Sequence, residues 1–183
     1  MELMWAMHDN IRLYLKPFHR FGRLFDSVDT FIEHSEISRI HAIIEWVDAL
    51  WFVRDISKNG IWLNGERITP NKPYRLNVKD KVKFSNVSGI EFEVLNLDEP
   101  QDVLVPYNRK TKQTNPTDKV VFLGQYNLLP SESEPEIVIF YDRDEKNWCC
   151  ESVNDMSVRR IADGDCVKFS DSMWQLLKGA DQG

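Results

Sequence analysis

The sequence predicts an all-β protein: an antiparallel β-sandwich followed by a second, smaller β-rich lobe. Three observations carry that expectation. Apolar or alternating runs recur that are short and rich in β-branched and aromatic residues, as strands are. Tight-turn signals punctuate them, above all Asn59-Gly60 and Asn64-Gly65, because Asn and Gly tolerate positive φ. No segment of the first half sustains the 3.6-residue apolar period of an amphipathic helix.

Taken in order, Ile11 to Leu15 alternates, Thr30 to Ile32 is short and β-prone, and Ala42 to Trp46 is apolar. A turn at Asp48-Ala49 leads into Trp51-Phe52-Val53, after which come Trp62-Leu63, Lys81 to Phe84 and Glu91 to Leu95. Between about 98 and 119 the composition turns polar and proline-punctuated, with the run Arg109 to Thr117, and reads as a linker or long surface loop. Strands resume at Val120 to Leu123, Ile137 to Tyr141, Trp148 to Ser152, Cys166 to Phe169 and Met173 to Leu177. The expected division is therefore a first domain over 1–97, a linker over 98–119 and a second lobe over 120–183.

Bulk properties exclude several function classes. The 183 residues, 42% hydrophobic and 28% charged, suit one large or two small soluble domains. No apolar run approaches the ~20 residues a membrane helix needs. The start, Met1-Glu2-Leu3-Met4-Trp5, lacks the pattern of a secretory signal, and a cytoplasmic location is expected. Cys149, Cys150 and Cys166 have no ligand spacing and read as reduced thiols. His8, His19 and His34 show no metal spacing either, and neither metal nor cofactor is expected. Residues 1–97 hold 13 basic and 13 acidic side chains, whereas residues 98–183 hold 10 and 16, so the whole net charge of −6 lies in the second half. An acidic chain without a basic stripe argues against nucleic-acid binding through phosphate neutralisation.

The chemistry concentrates in short breaks between hydrophobic runs: Gly22-Arg23, Ser38-Arg39-Ile40-His41, and Lys58-Asn59-Gly60. A sandwich gathers such loops at one end. Arginine, a hydroxyl and a side-chain amide brought together there make a seat for a phosphate group. Ser38 can donate its hydroxyl, and Arg39 can pair with the charge. Arg23 offers several donors in a fixed fork. Asn59 both donates and accepts, and so can pair with an extended main chain. Lys58 adds positive charge at the rim. Gly22 permits a tight turn before Arg23, Gly60 serves its own turn, and Asn64-Gly65 reads as a structural turn.

Four blocks, Phe21 to Arg23, Glu36 to Ala42, Asp55 to Gly65 and Val78 to Phe84, resemble the forkhead-associated (FHA) domain family in order and spacing over about residues 1–97. The resemblance implies a phosphothreonine-dependent peptide-binding module in Ser/Thr kinase signalling. It places Ser38 and Arg39 on the phosphate, Arg23 on the phosphate or peptide backbone, Asn59 on the peptide main chain, and His41 as a structural brace. Phe21 and Ile61 depart from the residues usual in the family, without removing a phosphate donor. A preference for phosphothreonine over phosphoserine, also implied, needs a methyl pocket whose shape adds to the ~0.8 kcal/mol of one buried methyl.

The second half echoes the first. Arg159 to Ser170 aligns without a gap on Tyr74 to Ser85, Trp148 follows Ile139 at the distance at which Trp51 follows Ala42, and Trp174 to Leu177 stands for Phe92 to Leu95. This reads as a degenerate FHA-like repeat. On that alignment Pro135 and Glu136 replace Ser38 and Arg39, Val138 replaces His41, and the Asn-Gly loop is missing. Glu132, Glu134 and Glu136 would repel a phosphate. The second lobe thus reads as structural, or as a surface for a protein partner, self-association included.

Two other readings compete. The chain could be a phosphate-independent scaffold or assembly protein built on an FHA-like fold. A hydrolase could use Ser38, His41 and Asp55. No strained nucleophile turn precedes Ser38, however, and residues three apart on a strand face opposite sides, so no enzyme activity is expected.

Overall fold

The computed structural model describes residues 1–5, 11–86, 90–109, 113–114 and 119–180. His8 and most of the basic run after Arg109 lie outside them. The chain divides into two compact units, one mainly of Met1–Pro100, the other of Gln101–Asn115 and Lys119–Gly179.

The first unit holds eleven strands: β1 (Glu2–Trp5), β2 (Ile11–Tyr14), β3 (Phe18–Gly22), β4 (Thr30–Phe31), β5 (Ala42–Val47), β6 (Leu50–Asp55), β7 (Ile61–Leu63), β8 (Glu66–Arg67), β9 (Pro73–Arg75), β10 (Lys81–Phe84) and β11 (Glu91–Asn96). They form two sheets, in the orders β2-β1-β11-β10-β7-β8 and β4-β3-β5-β6-β9. All pairs in them are antiparallel except β3 with the two-residue β4. Alternate residues point inward: Trp51, Val53 and Asp55 on β6, Phe92 and Val94 on β11. The two sheets meet over a shared aromatic cluster, with Phe21 of β3 about 5.4 Å from both Phe84 of β10 and Phe92 of β11. The large residue at position 21 is therefore a core-filling ring, fully buried.

The second unit holds nine strands: β12 (Val103–Asn108), β13 (Gln113–Thr114), β14 (Val121–Phe122), β15 (Tyr126–Leu129), β16 (Ile137–Asp142), β17 (Asn147–Ser152), β18 (Val158–Ile161), β19 (Cys166–Phe169) and β20 (Ser172–Leu177). One sheet runs β13-β12-β20-β19 with β14 also on β12; the other runs β15-β16-β17-β18. Leu104, Ile139, Trp148, Ile161, Phe169 and Leu176 are among the residues of its core.

The expected linker over 98–119 requires correction, since β12 lies inside it and pairs with β20 along the second unit's core. Polar residues and Pro106 conceal the strand. Val103, Leu104 and Val105 are buried in succession, so they lack the alternation by which a strand is recognised. Strands β1, β3, β8, β9, β13, β15 and β18 likewise lie outside the expected strands; each spans only two to five residues, too few to show a period.

The two units share a strand order. β3-β5-β6-β9 corresponds to β15-β16-β17-β18, and β1-β11-β10 to β12-β20-β19. Individual bonds recur. Asp80 Oδ2 accepts the Asn77 amide and Asp165 Oδ2 accepts that of Ala162. Val94 donates to the Asp80 carbonyl, and Leu176 to that of Asp165. Lys79 and Gly164 both have positive φ, as do Ser85 and Ser170. One expected alignment shifts. The β5–β6 turn has two residues, Asp48-Ala49, but the β16–β17 turn has four, so Ala42 faces Asp55 while Ile137 faces Ser152. Glu136, not Val138, then occupies the position of His41. The second unit has no counterpart of the β7–β8 hairpin among the described residues.

Candidate functional site

The site is built where three loops of the first unit are laced together through their backbones. Arg23 donates its amide to the Ser38 carbonyl at 3.0 Å, and Leu24 donates to that of Arg39 at 3.1 Å. The strands can approach this closely because position 22 is glycine: a Cβ there would lie 2.1 Å from the Arg39 carbonyl oxygen. His41 closes the same corner, its amide donating to the Phe21 carbonyl at 2.7 Å.

Buried His41 braces two loops at once. Its Nδ1 accepts the Ser38 amide at 3.1 Å, which leaves Nε2 to donate to the Gly60 carbonyl at 3.2 Å. Its ring stacks on Phe84. Burial lowers its pKa, so the neutral tautomer that makes both bonds is the stable form.

A buried carboxylate, which the sequence offers only as a triad candidate, organises the third loop as a structural group. Asp55, fully buried, accepts the Ser57 amide and hydroxyl on Oδ1 and the Ile61 amide on Oδ2. Ser57 Oγ in turn accepts the Gly60 amide at 2.7 Å. Gly60 has φ of +95° and faces the Arg67 side chain, so both conformation and space favour glycine. The Asp-x-Ser spacing was the available signal, an Asx-type turn at a strand end.

Half-buried Ser38 accepts the Lys58 amide on its hydroxyl oxygen at 2.9 Å, and that oxygen retains its own proton to donate outward. Arg23, Arg39 and Lys58 are exposed around it. Asn59 donates from Nδ2 to the Glu36 carbonyl at 2.7 Å and to its carboxylate at 2.9 Å, tying the third loop to the second. Glu36 was missed as a site residue; it is an exposed acid in a loop and carries no pattern. Beside Arg23 opens a cavity of about 360 Å³, lined also by Phe31, Glu33, His34 and Ser35.

Asn64 stands apart from this cluster. With φ of 53° it turns the β7–β8 hairpin, and its side chain bonds Asp80 and the Lys81 amide. The serine–histidine pairing needed for nucleophilic chemistry is replaced by a backbone contact: the imidazole bonds the Ser38 amide, and the Ser38 hydroxyl bonds Lys58. Among the described residues no His, Cys, Asp and Glu cluster could hold a metal ion.

The family model that matches this stretch is the FHA domain, over residues 19–85, which span every loop of the site. Residues 19–85 match the FHA domain model. The matched span runs from within β3 to the end of β10, with Gly22, Ser38, His41 and Asn59 all inside it. Solved structures similar to the chain include the FHA domain of an Arabidopsis thaliana hypothetical protein, at 25% identity over 55% of this chain and 87% of that one, with a TM-score of 0.48. Others are the N-terminal FHA domain of S. cerevisiae RAD53P in complex with a phosphothreonine peptide, at 20% identity, 52% and 92% coverage and TM-score 0.46, and the MEK1 FHA domain with a HOP1 phosphothreonine peptide, at 20%, 52% and 95%, and 0.44. No curated protein matches the sequence. No helix among the described residues is long and apolar enough to cross a membrane.

Proposed function

We propose that the FHA domain of this chain binds a phosphothreonine-containing peptide or protein, as a reader of Ser/Thr kinase output. The observation that carries this reading is Ser38: its oxygen accepts the Lys58 amide and its own proton stays available to a ligand, with Arg23, Arg39 and Lys58 exposed on the same laced loops. A phosphate brings about −1.5 to −2 charges and three acceptor oxygens to such a cluster of donors. Ser38 donates its hydroxyl, Arg39 and Arg23 pair with the charge, Lys58 strengthens the rim, and Asn59 holds the peptide main chain while remaining anchored to Glu36. Gly22, His41 and Gly60 fix the loops.

Three or four charge-assisted bonds at roughly 1.5–3 kcal/mol each, offset by the immobilisation of an extended peptide, leave about −8 kcal/mol, a micromolar Kd. The relatives solved with phosphothreonine peptides support the ligand class. Fluorescence-anisotropy titration with a degenerate phosphothreonine peptide pool and its unphosphorylated twin tests the reading. Micromolar binding of the phosphorylated pool alone is expected. Equal binding of both pools would instead mean a phosphate-independent scaffold.

A further inference from the structure

In the first unit β10 has neighbours on both sides, β11 and β7. Its outward backbone groups are satisfied by the hairpin: Asn64 donates its amide to the Lys81 carbonyl, Ser85 donates to that of Gly60, and Lys83 faces Trp62 between them. The corresponding strand of the second unit, β19, is an edge strand among the described residues, paired there with β20 alone. The missing hairpin would have lain along it.

Two side chains stand in for the hairpin at its ends. Arg159 Nη2 donates to the Cys166 carbonyl at 2.7 Å, as Asn64 does to Lys81. Glu136 Oε2 accepts the Ser170 amide at 3.0 Å, as the Gly60 carbonyl does from Ser85. Both groups point away from β20, so those of Lys168, midway between them on the same side, do too. A cleft of about 270 Å³ opens beside this edge, lined by Arg159, Lys168, Ser152, Asn154, Ser157 and Glu136.

We propose that β19 is a strand-addition site for an extended acidic segment of a partner protein, which runs antiparallel to β19 in the place β7 takes on β10. Main-chain pairing supplies the affinity. Charge selects the occupant. Lys168 lies 3.6 Å from the carboxylate of the fully exposed Asp171, a solvated pair that holds it weakly. An Asp or Glu opposite it on the added strand can take Asp171's place, and opposite charges across a pair of strands attract. Arg159 reinforces the choice from β18 of the other sheet, its side chain reaching the Cys166 carbonyl, while Glu136 is already engaged at the far end by Ser170. A second copy of β19 is disfavoured, since antiparallel pairing about the centre sets Lys168 against Lys168. Arg159 and Glu136 protect the edge while it is vacant, and both are exposed enough to move aside.

The test selects unphosphorylated peptides from a random display library on the full chain, then follows amide exchange. The expected winners carry Asp or Glu between β-forming residues and slow exchange at Cys166 and Lys168. Lys168→Glu should weaken them several-fold and turn a repeated selection towards Lys and Arg. Lys168→Pro, which removes an outward amide and leaves the ladder to β20 intact, should abolish binding. No winner that protects these amides, or winners indifferent to Lys168→Glu, would overturn the proposal. So would a dimer, detected by sedimentation, that buries the same amides, since the occupant would then be a second copy.

Discussion

Ser38 and Gly22 act in different ways on the same few cubic ångströms, and their substitution separates chemistry from architecture. Ser38→Ala removes a donor and the acceptor of the exposed Lys58 amide, which water can replace, and leaves the loop held by Arg23 and His41, so phosphopeptide affinity should fall roughly tenfold or more with the fold intact. Arg23→Ala should do the same, and anisotropy titration beside circular dichroism measures both. Unchanged affinity would sink the assignment. Gly22→Ala drives a methyl into the Arg39 carbonyl, with backbone rather than a flexible side chain in the way. The two loops must part, at about 2 kcal/mol or more of stability, and binding should be lost with it. Gly65→Ala is the control: nothing lies within 4 Å of its Cβ, so only the strain of a φ of +86° is felt, about 1 kcal/mol, and affinity should persist. Ser38, Arg39, His41 and Asn59 were legible because they fall in breaks between apolar runs. The roles of Asp55 and Glu36 were not, because a buried acid at a strand end and an exposed acid in a loop look like ordinary surface charges until the backbone bonds around them are known.

Among elements, the recurring Asp80 and Asp165 turns permit a controlled comparison. Each carboxylate accepts an amide three residues back, but Asp80 also accepts from Asn64 and so secures the hairpin. Asp80→Ala should therefore reduce hydrogen-exchange protection on β7 and β10 by a free energy of about 2 kcal/mol, against about 1 kcal/mol on β19 for Asp165→Ala. Equal losses would show that the Asn64 contact contributes nothing. Element type was readable where apolar residues alternate, as on β6 and β11. It was not readable on β12, buried on three successive residues, nor on β9 and β18, whose charged side chains face outward. The four-residue turn before β17 explains why an alignment by tryptophans placed Val138 rather than Glu136 opposite His41: sequence spacing counts residues, whereas strand pairing counts ladder steps.

For the whole molecule, an acid-sensitive stability is built into the first unit. Burial pushes the pKa of His19 down to about 4; its Nε2 meets Thr30 Oγ1 at 2.8 Å, and Nδ1 has no hydrogen-bond partner among the described residues. An unfolded chain binds that proton near pH 6.5, so the folded state is at full advantage above 6.5 and loses it as pH falls towards 4. The loss is on the order of 3 kcal/mol. Thermal unfolding from pH 7 to 4 should show the decline, and His19→Phe should flatten it if the ring is tolerated beside Phe21. A wild-type profile flat over this range would refute the assignment. The all-β class of the first unit was legible from pattern and punctuation, because both are local. How the second unit closes its core is decided by β12, some 70 residues before β20, and no local window contains that pairing.

The strand order common to the two units also makes the hairpin a portable part. Residues 56–72 leave β6 and return at β9. The loop of the second unit that joins β17 to β18 starts and ends on the corresponding strands. A transplant of the first segment into the second loop, with Arg159 and Glu136 shortened to make room, would give β19 a permanent neighbour. The resulting chimera would be a protein with two roofed lobes, in which whatever the natural chain gains from leaving one of them open could be read by its loss.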